Sequence, residues 1–353
     1  MNDLGMLSMI RDLLDGEQVE DNRVSVYLRN QGCLYLLLGI PSERKKSILD
    51  IAANQVMIIN EIRECETLFS RFDVIRYSMI KGAVLAKHIY PSAGCRVSKD
   101  LDILVSPKDL RRVDAILKQE GFIQGRVKTD GTICPYTREQ IIFYKTFTHQ
   151  SAPYVKKTKN PYCPFISVDV NFSVLWGEAV DSIDIDVFLD NTIDYELFDI
   201  KIKKLSPVFE FICLCMHHYK DLNSLYLLVE KGIRLSLFCD IEQYLKTNSV
   251  DIIQLKSECE RMGVTNYITF CLYHTNVLFP SAIMTQYLDE FHPDECTSML
   301  NRIGLTEGEY KFIEGGVSSW VICDNFQSML NSILTKSDKK KIDVNMKYKG
   351  ELI

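Results

Sequence analysis

Residues 90–105 read Tyr-Pro-Ser-Ala-Gly-Cys-Arg-Val-Ser-Lys-Asp-Leu-Asp-Ile-Leu-Val, with an acidic pair at the head of a short apolar run. The run, which Ser106 and Pro107 end, has the length and composition of a buried β-strand. Because side chains alternate across a strand, Asp100 and Asp102 point to the same face, with their Cα atoms roughly 7 Å apart. Two such carboxylates favour a divalent cation such as Mg²⁺, which prefers oxygen ligands. The alternative is a solvated acidic pair at a strand end, which is common.

The sequence upstream predicts a strand followed by a phosphate-binding turn. Residues 74–80 read Val-Ile-Arg-Tyr-Ser-Met-Ile, and they are followed by Lys81, Gly82 and the helix-forming run Ala-Val-Leu-Ala-Lys. A glycine between a strand and a helix lets the backbone approach a phosphate group and directs the first amide groups of the helix toward it. Arg96 and Ser98 stand between this turn and the acidic pair, and both side chains are suitable donors to phosphate oxygens.

A third carboxylate lies on a later predicted strand. Residues 164–175 alternate between apolar and polar side chains, which places Asp169 and Asn171 on the face opposite to Val168 and Val170. If this strand is a neighbour of the first, Asp169 joins Asp100 and Asp102. The alternative is a half-buried strand that turns a polar face to water.

This combination resembles the nucleotidyltransferase superfamily of DNA polymerase β-like folds. The residues that carry the resemblance are Lys-Gly-x-x-Leu at 81–85, Tyr-Pro at 90–91, Arg-x-Ser-x-Asp-x-Asp at 96–102 and the later Asp169. Within the superfamily the chain is most similar to a bacterial family of uncharacterised nucleotidyltransferases, some of which accompany peptide natural-product pathways. A looser similarity continues through residues 215–220 and 232–241, which resemble a His-containing helix and a Leu-Arg-x-x-x-Asp segment of that family.

The resemblance implies an α+β fold, in which a mixed sheet with helices is flanked by an N-terminal helical segment and a C-terminal helical domain. It implies a catalytic, metal-binding set that holds two Mg²⁺ ions and a nucleotide-binding set that faces the triphosphate. The first set is Asp100, Asp102 and Asp169, of which Asp169 assists deprotonation of the acceptor; the second is Lys81, Gly82, Arg96 and Ser98.

Two positions depart from the superfamily pattern. Ala83 stands where the superfamily often has serine, so one side-chain contact to phosphate is missing. The segment from Asp169 to Asn171 stands where Glu-hydrophobic-His is usual. Asp is one methylene shorter than Glu, and Asn cannot titrate, so these departures bear on the third metal contact and on any proton transfer.

On this resemblance we expect a Mg²⁺-dependent nucleotidyltransferase that moves a nucleoside monophosphate group from an NTP, with ATP as the expected donor, to an acceptor. The acceptor would be a hydroxyl or another nucleophile of a small molecule or peptide, and pyrophosphate would be released. Two alternatives stay open: a catalytically degenerate member that binds nucleotide or a peptide partner, and a toxin-like nucleotidyltransferase that acts on tRNA. The 41 Lys and Arg against 47 Asp and Glu, a net charge of −6, disfavour nucleic acid as the acceptor.

The 12 cysteines indicate a reducing compartment. Most of them fall inside apolar segments, where a free thiol behaves as a small hydrophobic group, and no two have the CxxC spacing. The first residues do not have the composition of a secretory signal, and no apolar run approaches the roughly 18 residues that cross a bilayer. We therefore expect a cytoplasmic protein with no membrane partner.

Periodicity and composition predict four segments. They are an N-terminal helical segment (1–72) with a long helix from Ser42 to about Phe72, the nucleotidyltransferase-like α/β domain (73–200), a C-terminal helical domain (201–335) and a basic tail (336–353). Residues 140–149 read as a strand, and Arg234 is expected to pair with Asp240. A second Asp-x-Asp, at Asp184 and Asp186, follows no glycine turn and has no donors placed like those of the first, which predicts surface residues.

Overall fold

The structure, a computed structural model, describes residues 3–98, 100–175 and 183–349. Its largest sheet has eight strands in the order β4-β3-β5-β6-β2-β1-β8-β7. The pairs β2–β6 and β1–β8 are parallel and the others are antiparallel, so the sheet is mixed. The strands are β1 (Tyr77–Ile80), β2 (Leu101–Val105), β3 (Ile123–Val127), β4 (Ile133–Pro135), β5 (Tyr154–Lys157), β6 (Phe165–Asn171), β7 (Thr192–Leu197) and β8 (Ile200–Leu205), with a separate pair β9 (Arg302–Ile303) and β10 (Lys311–Phe312).

Helices make up most of the remaining regular structure, and the fold is α+β, as predicted. The helices before β7 are α1 (Asp3–Leu14), α2 (Asn22–Asn30), α3 (Pro41–Glu64), α4 (Glu66–Phe72), α5 (Gly82–Ile89), α6 (Leu110–Gln119), α7 (Arg138–Phe147) and α8 (Ile185–Leu189). Those after β8 are α9 (Pro207–Asn223), α10 (Leu225–Lys231), α11 (Leu235–Thr247), α12 (Ile252–Met262), α13 (Thr265–Leu278), α14 (Ala282–Phe291), α15 (Thr297–Leu300), α16 (Phe326–Ile333) and α17 (Lys336–Lys349).

The chain divides into two compact units. One comprises residues Asp50–Cys213 and contains the eight-stranded sheet. The other comprises Met1–Leu49 and Leu214–Ile353 and is mainly helical. The two boundaries fall inside α3 and α9, so each of these helices contributes residues to both units.

The core of the sheet unit lies around β2 and β6. Their apolar positions form a buried layer with residues of α3, α4 and α6, whereas the polar residues that alternate with them along β6 point to the opposite face. The buried residues on the two strands are Leu101, Ile103, Val105, Ile166, Val168 and Val170. Burial on this scale fixes the register of the pair, because a slip by one residue would turn every apolar side chain to the other face.

The sheet ends at β4 on one side and at β7 on the other. Strand β4 has three residues, the last of which is Pro135, which has no amide hydrogen to donate. Strand β7 pairs with β8 and exposes Asp194 and Glu196 to solvent.

The predicted strand at 140–149 is wrong, because these residues belong to α7. The Thr137 hydroxyl accepts a hydrogen bond from the Gln140 amide at 3.3 Å, and the Gln140 side chain accepts one from the Thr137 amide at 2.9 Å. This reciprocal pair is a capping box, which fixes a helix N-terminus. The helix then buries Phe143 and Tyr144, so its aromatic content reflects packing of a helix face.

Two further predictions differ from the structure. The long helix expected from Ser42 to about Phe72 begins at Pro41, the position where proline is favoured, and Cys65 divides it into α3 and α4. Most of the expected basic tail forms α17. Its start is held by Asp338, whose carboxylate accepts hydrogen bonds from the Thr335 amide at 2.7 Å and the Thr335 hydroxyl at 2.6 Å.

Every helix in the described ranges is too short or too polar to cross a lipid bilayer.

Candidate functional site

The three predicted carboxylates are brought to neighbouring strands of the sheet. Strand β2 pairs in parallel with β6, and Asp102 is the cross-strand partner of Asp169. Neighbouring strands lie about 4.8 Å apart, and partners in register share a face. Asp100 immediately precedes β2, two positions before Asp102, and its charge acts on Asp169.

Asp169 has the electrostatic environment of a crowded acidic site. Its Oδ2 accepts a hydrogen bond from Gln150 Nε2 at 2.8 Å, whereas its Oδ1 is shielded from solvent and has no hydrogen-bond partner within residues 3–98, 100–175 and 183–349. Burial, followed by the charges of Asp100 and Asp102, raises the pKa of Asp169 to about 8, against the lowering effect of Gln150 and Lys81. Asp100 and Asp102 are therefore close enough to disfavour the charged form of Asp169.

Lys81 neutralises one of these carboxylates directly. Its Nζ lies 2.8 Å from Asp102 Oδ1, and the two side chains are only 9% and 12% exposed. Asn171 Nδ2 donates a hydrogen bond to the same oxygen at 3.1 Å. The sequence predicts that Lys81 faces a triphosphate, and in the structure its ammonium group contacts Asp102.

The turn between β1 and α5 is shaped by Gly82. Its φ of +43° lies in the left-handed region, and a Cβ there would lie 3.1 Å from Ser98 Oγ and 3.4 Å from the Asp100 carbonyl oxygen. The Ser98 hydroxyl donates a hydrogen bond to that carbonyl at 3.1 Å, which stabilises the segment just before β2. Arg96 is half-buried on the same segment, and its carbonyl oxygen accepts a hydrogen bond from Asn54 Nδ2 at 3.2 Å.

A fourth carboxyl group near the site, Glu61 on α3, was missed by the sequence reasoning. It is 5% exposed, and burial, followed by the charge of Asp100, raises its pKa to about 8. Asn54, two turns earlier on the same face of α3, donates hydrogen bonds to the carbonyl groups of Gly94 and Arg96 at 2.8 and 3.2 Å. An acidic residue among apolar ones on a helix face was the available signal.

Glu61→Gln is expected to change how stability depends on pH. The raised pKa of Glu61 means that its proton stabilises the fold fully below its ordinary pKa of 4.5 and that this stability is lost as the pH rises toward about 8. Wild-type protein should therefore lose stability over this interval, by at most about 1.4 kcal/mol per pH unit for each such group. The introduced amide carries no charge, so the variant should lose less stability than the wild type between these pH values. Other carboxyl groups with a raised pKa, Asp169 and Glu242, contribute to the loss that remains.

The measurement is urea unfolding with EDTA present, at about pH 5 and about pH 8. Glu64→Gln, at an exposed position on the same helix, is the matched control and should follow the wild type. Equal pH dependence in the Glu61 variant and the wild type would show that Glu61 is not held neutral.

The donor chemistry of the cluster fits a hard divalent cation. The charges of Asp100 and Asp102 act on Asp169, whose buried Oδ1 has no hydrogen-bond partner among the residues that the structure describes. Among the residues that the structure describes, however, no three acidic, histidine or cysteine side chains are gathered closely enough to hold an ion. The Lys81 ammonium already contacts Asp102. An ion bound there would have to share Asp102 with this ammonium or displace it.

The helical unit contains the residues of the looser resemblance. His218 Nε2 lies 3.6 Å from Asp240 Oδ2, and both side chains are buried. The expected pair between Arg234 and Asp240 is wrong, because Arg234 instead donates a hydrogen bond to Asp221 at 2.7 Å.

The second Asp-x-Asp has a structural role. Asp184 is exposed and caps α8 by accepting a hydrogen bond from the Asp186 amide at 3.0 Å. Asp186 is half-buried and pairs with Lys108 at 2.9 Å and with Arg76 at 3.7 Å. The prediction of surface residues is confirmed for Asp184.

Comparisons with known proteins identify a family for this chain. The sequence model of a protein family described as uncharacterised nucleotidyltransferase matches residues 33–280. This range includes Asp100, Asp102 and Asp169, as well as Lys81 and Gly82 of the turn between β1 and α5. No curated protein matches the chain. Among solved structures, an antigenic nucleotidyltransferase-like protein from Paracoccidioides brasiliensis is similar at 13% identity, over 68% of this chain and 91% of its own, with a TM-score of 0.33.

Proposed function

The chain belongs to the family of uncharacterised nucleotidyltransferases, and on that premise we propose that it is a Mg²⁺-dependent enzyme that transfers a nucleoside monophosphate group from an NTP to an acceptor. The observation that carries the proposal is the register of β2 and β6, which sets Asp102 opposite Asp169. Asp100 is close enough for its charge to act on Asp169, and the strand-turn-helix of Lys81 and Gly82 adjoins Asp102 and Asp100. This is the composition of a site for phosphoryl-type transfer, in which positioning and charge neutralisation supply most of the catalysis.

Asp100, Asp102 and Asp169 would hold the metal, as two Mg²⁺ ions. Bound Mg²⁺ would neutralise phosphate charge and stabilise the attacking and leaving oxygens. The chain supplies the rest of the phosphate environment. Gly82 allows the backbone of the turn to come close, and the first amide groups of α5 have no partner within the helix. Lys81 adds a positive charge to the same turn.

Asp169 is the residue that would take up the proton of the acceptor. The acceptor hydroxyl would give its proton to Asp169 Oδ1 while its oxygen forms a bond to the α-phosphorus of the NTP. The bond from the α-phosphorus to the bridging oxygen breaks, and pyrophosphate leaves with the electron pair.

A non-catalytic member that binds nucleotide is the second candidate, and one contact favours it. Asn171, at the position where the superfamily usually has histidine, donates a hydrogen bond to Asp102 at 3.1 Å and has no proton to exchange at neutral pH. A tRNA acceptor is the third candidate, and the net charge of −6 counts against it.

The test is an acceptor screen with each of the four NTPs, labelled at the α-phosphate, in the presence of Mg²⁺. Small-molecule, peptide and tRNA fractions are tested separately for released pyrophosphate and for an added nucleoside monophosphate by mass spectrometry. We expect ATP and the small-molecule or peptide fraction to give both products. Binding of ATP by calorimetry with no product in any fraction would support the non-catalytic candidate, and product only with tRNA would support the third.

A further inference from the structure

The contact between Lys81 and Asp102 is fixed by the sheet. Ile80, the last residue of β1, is the cross-strand partner of Asp102 on β2, so the next residue along the chain starts beside this carboxylate. Lys81 has a φ of +55° and a ψ of −146°, in a region that costs a residue other than glycine about 1–3 kcal/mol. Strand β1 on one side and α5 on the other hold it there, with Nζ 2.8 Å from Asp102 Oδ1.

This ammonium contacts the carboxylate oxygen that a metal ion at Asp102 would use as a ligand. Asp102 Oδ1 already has two partners, Lys81 and Asn171, and the ion pair is largely sheltered from solvent. Two like charges a few Å apart repel strongly where water is scarce. A divalent cation and the Lys81 ammonium therefore disfavour each other at Asp102, whereas a triphosphate beside Gly82 would give the ammonium a new anionic partner.

We propose that Lys81 is an exchangeable counter-ion, which makes the metal ion and the nucleotide bind cooperatively. Lys81 weakens the binding of a divalent cation at Asp102 until a triphosphate draws its ammonium away. The metal ion alone then binds weakly, and nucleotide and metal ion each strengthen the binding of the other by the same factor. This inference rests on the proposed function, since it requires both ligands to bind at this site.

The test uses the full chain and Mn²⁺ as the probe, with Mn²⁺ binding followed by electron paramagnetic resonance. Lys81→Met removes the charge and keeps much of the length, and Lys81→Arg, which keeps the charge, is the matched control. We expect the Met variant to bind Mn²⁺ about tenfold more tightly than the wild type, within the usual range of coupling between sites, and the Arg variant to bind it like the wild type. Equal Mn²⁺ affinity in the Met variant and the wild type overturns the inference.

A second measurement follows the nucleotide. Calorimetry with a non-hydrolysable ATP analogue, in EDTA and at saturating Mn²⁺, gives the factor by which the metal ion strengthens nucleotide binding. This factor should fall by about tenfold in the Met variant and stay at the wild-type value in the Arg variant. An unchanged factor in the Met variant also overturns the inference.

Two controls separate this inference from the proposed function. Asp102→Asn should abolish Mn²⁺ binding in both the wild-type and the Lys81→Met backgrounds. If neither the wild type nor the Met variant binds Mn²⁺ or the analogue, the proposed function fails. If both bind and Lys81 has no effect, only the inference fails.

The Met variant could also change the folding of the chain. A Met variant that unfolds in EDTA and folds in Mn²⁺ supports the inference, because the metal ion then replaces the lost counter-ion. If the Met variant stays unfolded in both, Lys81→Gln is measured in the same way and decides the outcome.

Discussion

Asp102→Asn is expected to lower nucleotidyl transfer by about 100-fold to 1,000-fold or more while the chain stays folded, by comparison with the loss of one preorganised charge-stabilising group in other enzymes. Asp102 is the centre of the proposed site, since it is the cross-strand partner of Asp169 and the ion-pair partner of Lys81. Asn keeps the shape and one carbonyl oxygen to accept the hydrogen bond from Asn171, but it loses the charge that would hold a metal ion. Pyrophosphate release under single-turnover conditions measures the effect.

The second Asp-x-Asp provides the matched control. Asp184→Asn changes the same residue type in the same way, and Asn is as good a helix cap as Asp, so α8 should keep its N-terminus. This variant should retain wild-type turnover. Wild-type turnover in Asp102→Asn would contradict the assignment of Asp102 as a metal ligand. Circular dichroism establishes that both variants are folded.

Gly94→Ala is expected to destabilise the chain by about 3 kcal/mol or more, the upper range for overpacking. A Cβ at this position would lie 2.0 Å from the carbonyl oxygen of Ile51 and 2.9 Å from the amide nitrogen of Gln55. Both atoms belong to the backbone of α3, so no change of side-chain rotamer can relieve the clash. Either the helix or the segment before β2 must move, and the hydrogen bonds from Asn54 to this segment would be strained.

Urea unfolding gives the change in the free energy of unfolding. The control is Gly308→Ala, where a Cβ would meet no atom within 4 Å and φ is not in the left-handed region, so the effect should stay within about 0.5 kcal/mol. A transition midpoint for Gly94→Ala equal to that of the wild type would contradict the close approach of α3 to this segment.

Local sequence patterns were sufficient for the elements that form the candidate site. The apolar run after Asp100 is β2, the alternating run around Asp169 is β6, and Gly82 begins α5 with one residue between it and the end of β1. The pairing of β2 with β6 could not be read from these patterns, because β3, β4 and β5 lie between them in sequence. Sequence reasoning could only state the condition that the two strands be neighbours, which the structure meets.

The contacts that sequence reasoning missed depend on residues distant in the chain. Lys81 faces Asp102 because β1 and β2 pair in one register, and the donor pattern alone suggested a phosphate partner. Glu61 comes near Asp100 because a helix from an earlier segment lies against the start of β2. In α7, the composition of residues 140–149 favoured a strand, and the capping box at Thr137 outweighed it.

The two ends of the sheet bear on how the protein behaves at high concentration. An unpaired outer strand can template pairing with another molecule and lead to aggregation. Here Pro135 interrupts the free donors of β4, and a second copy approaching β7 would have to accommodate the charges of Asp194 and Glu196. Intermolecular growth of the sheet is therefore disfavoured on both sides.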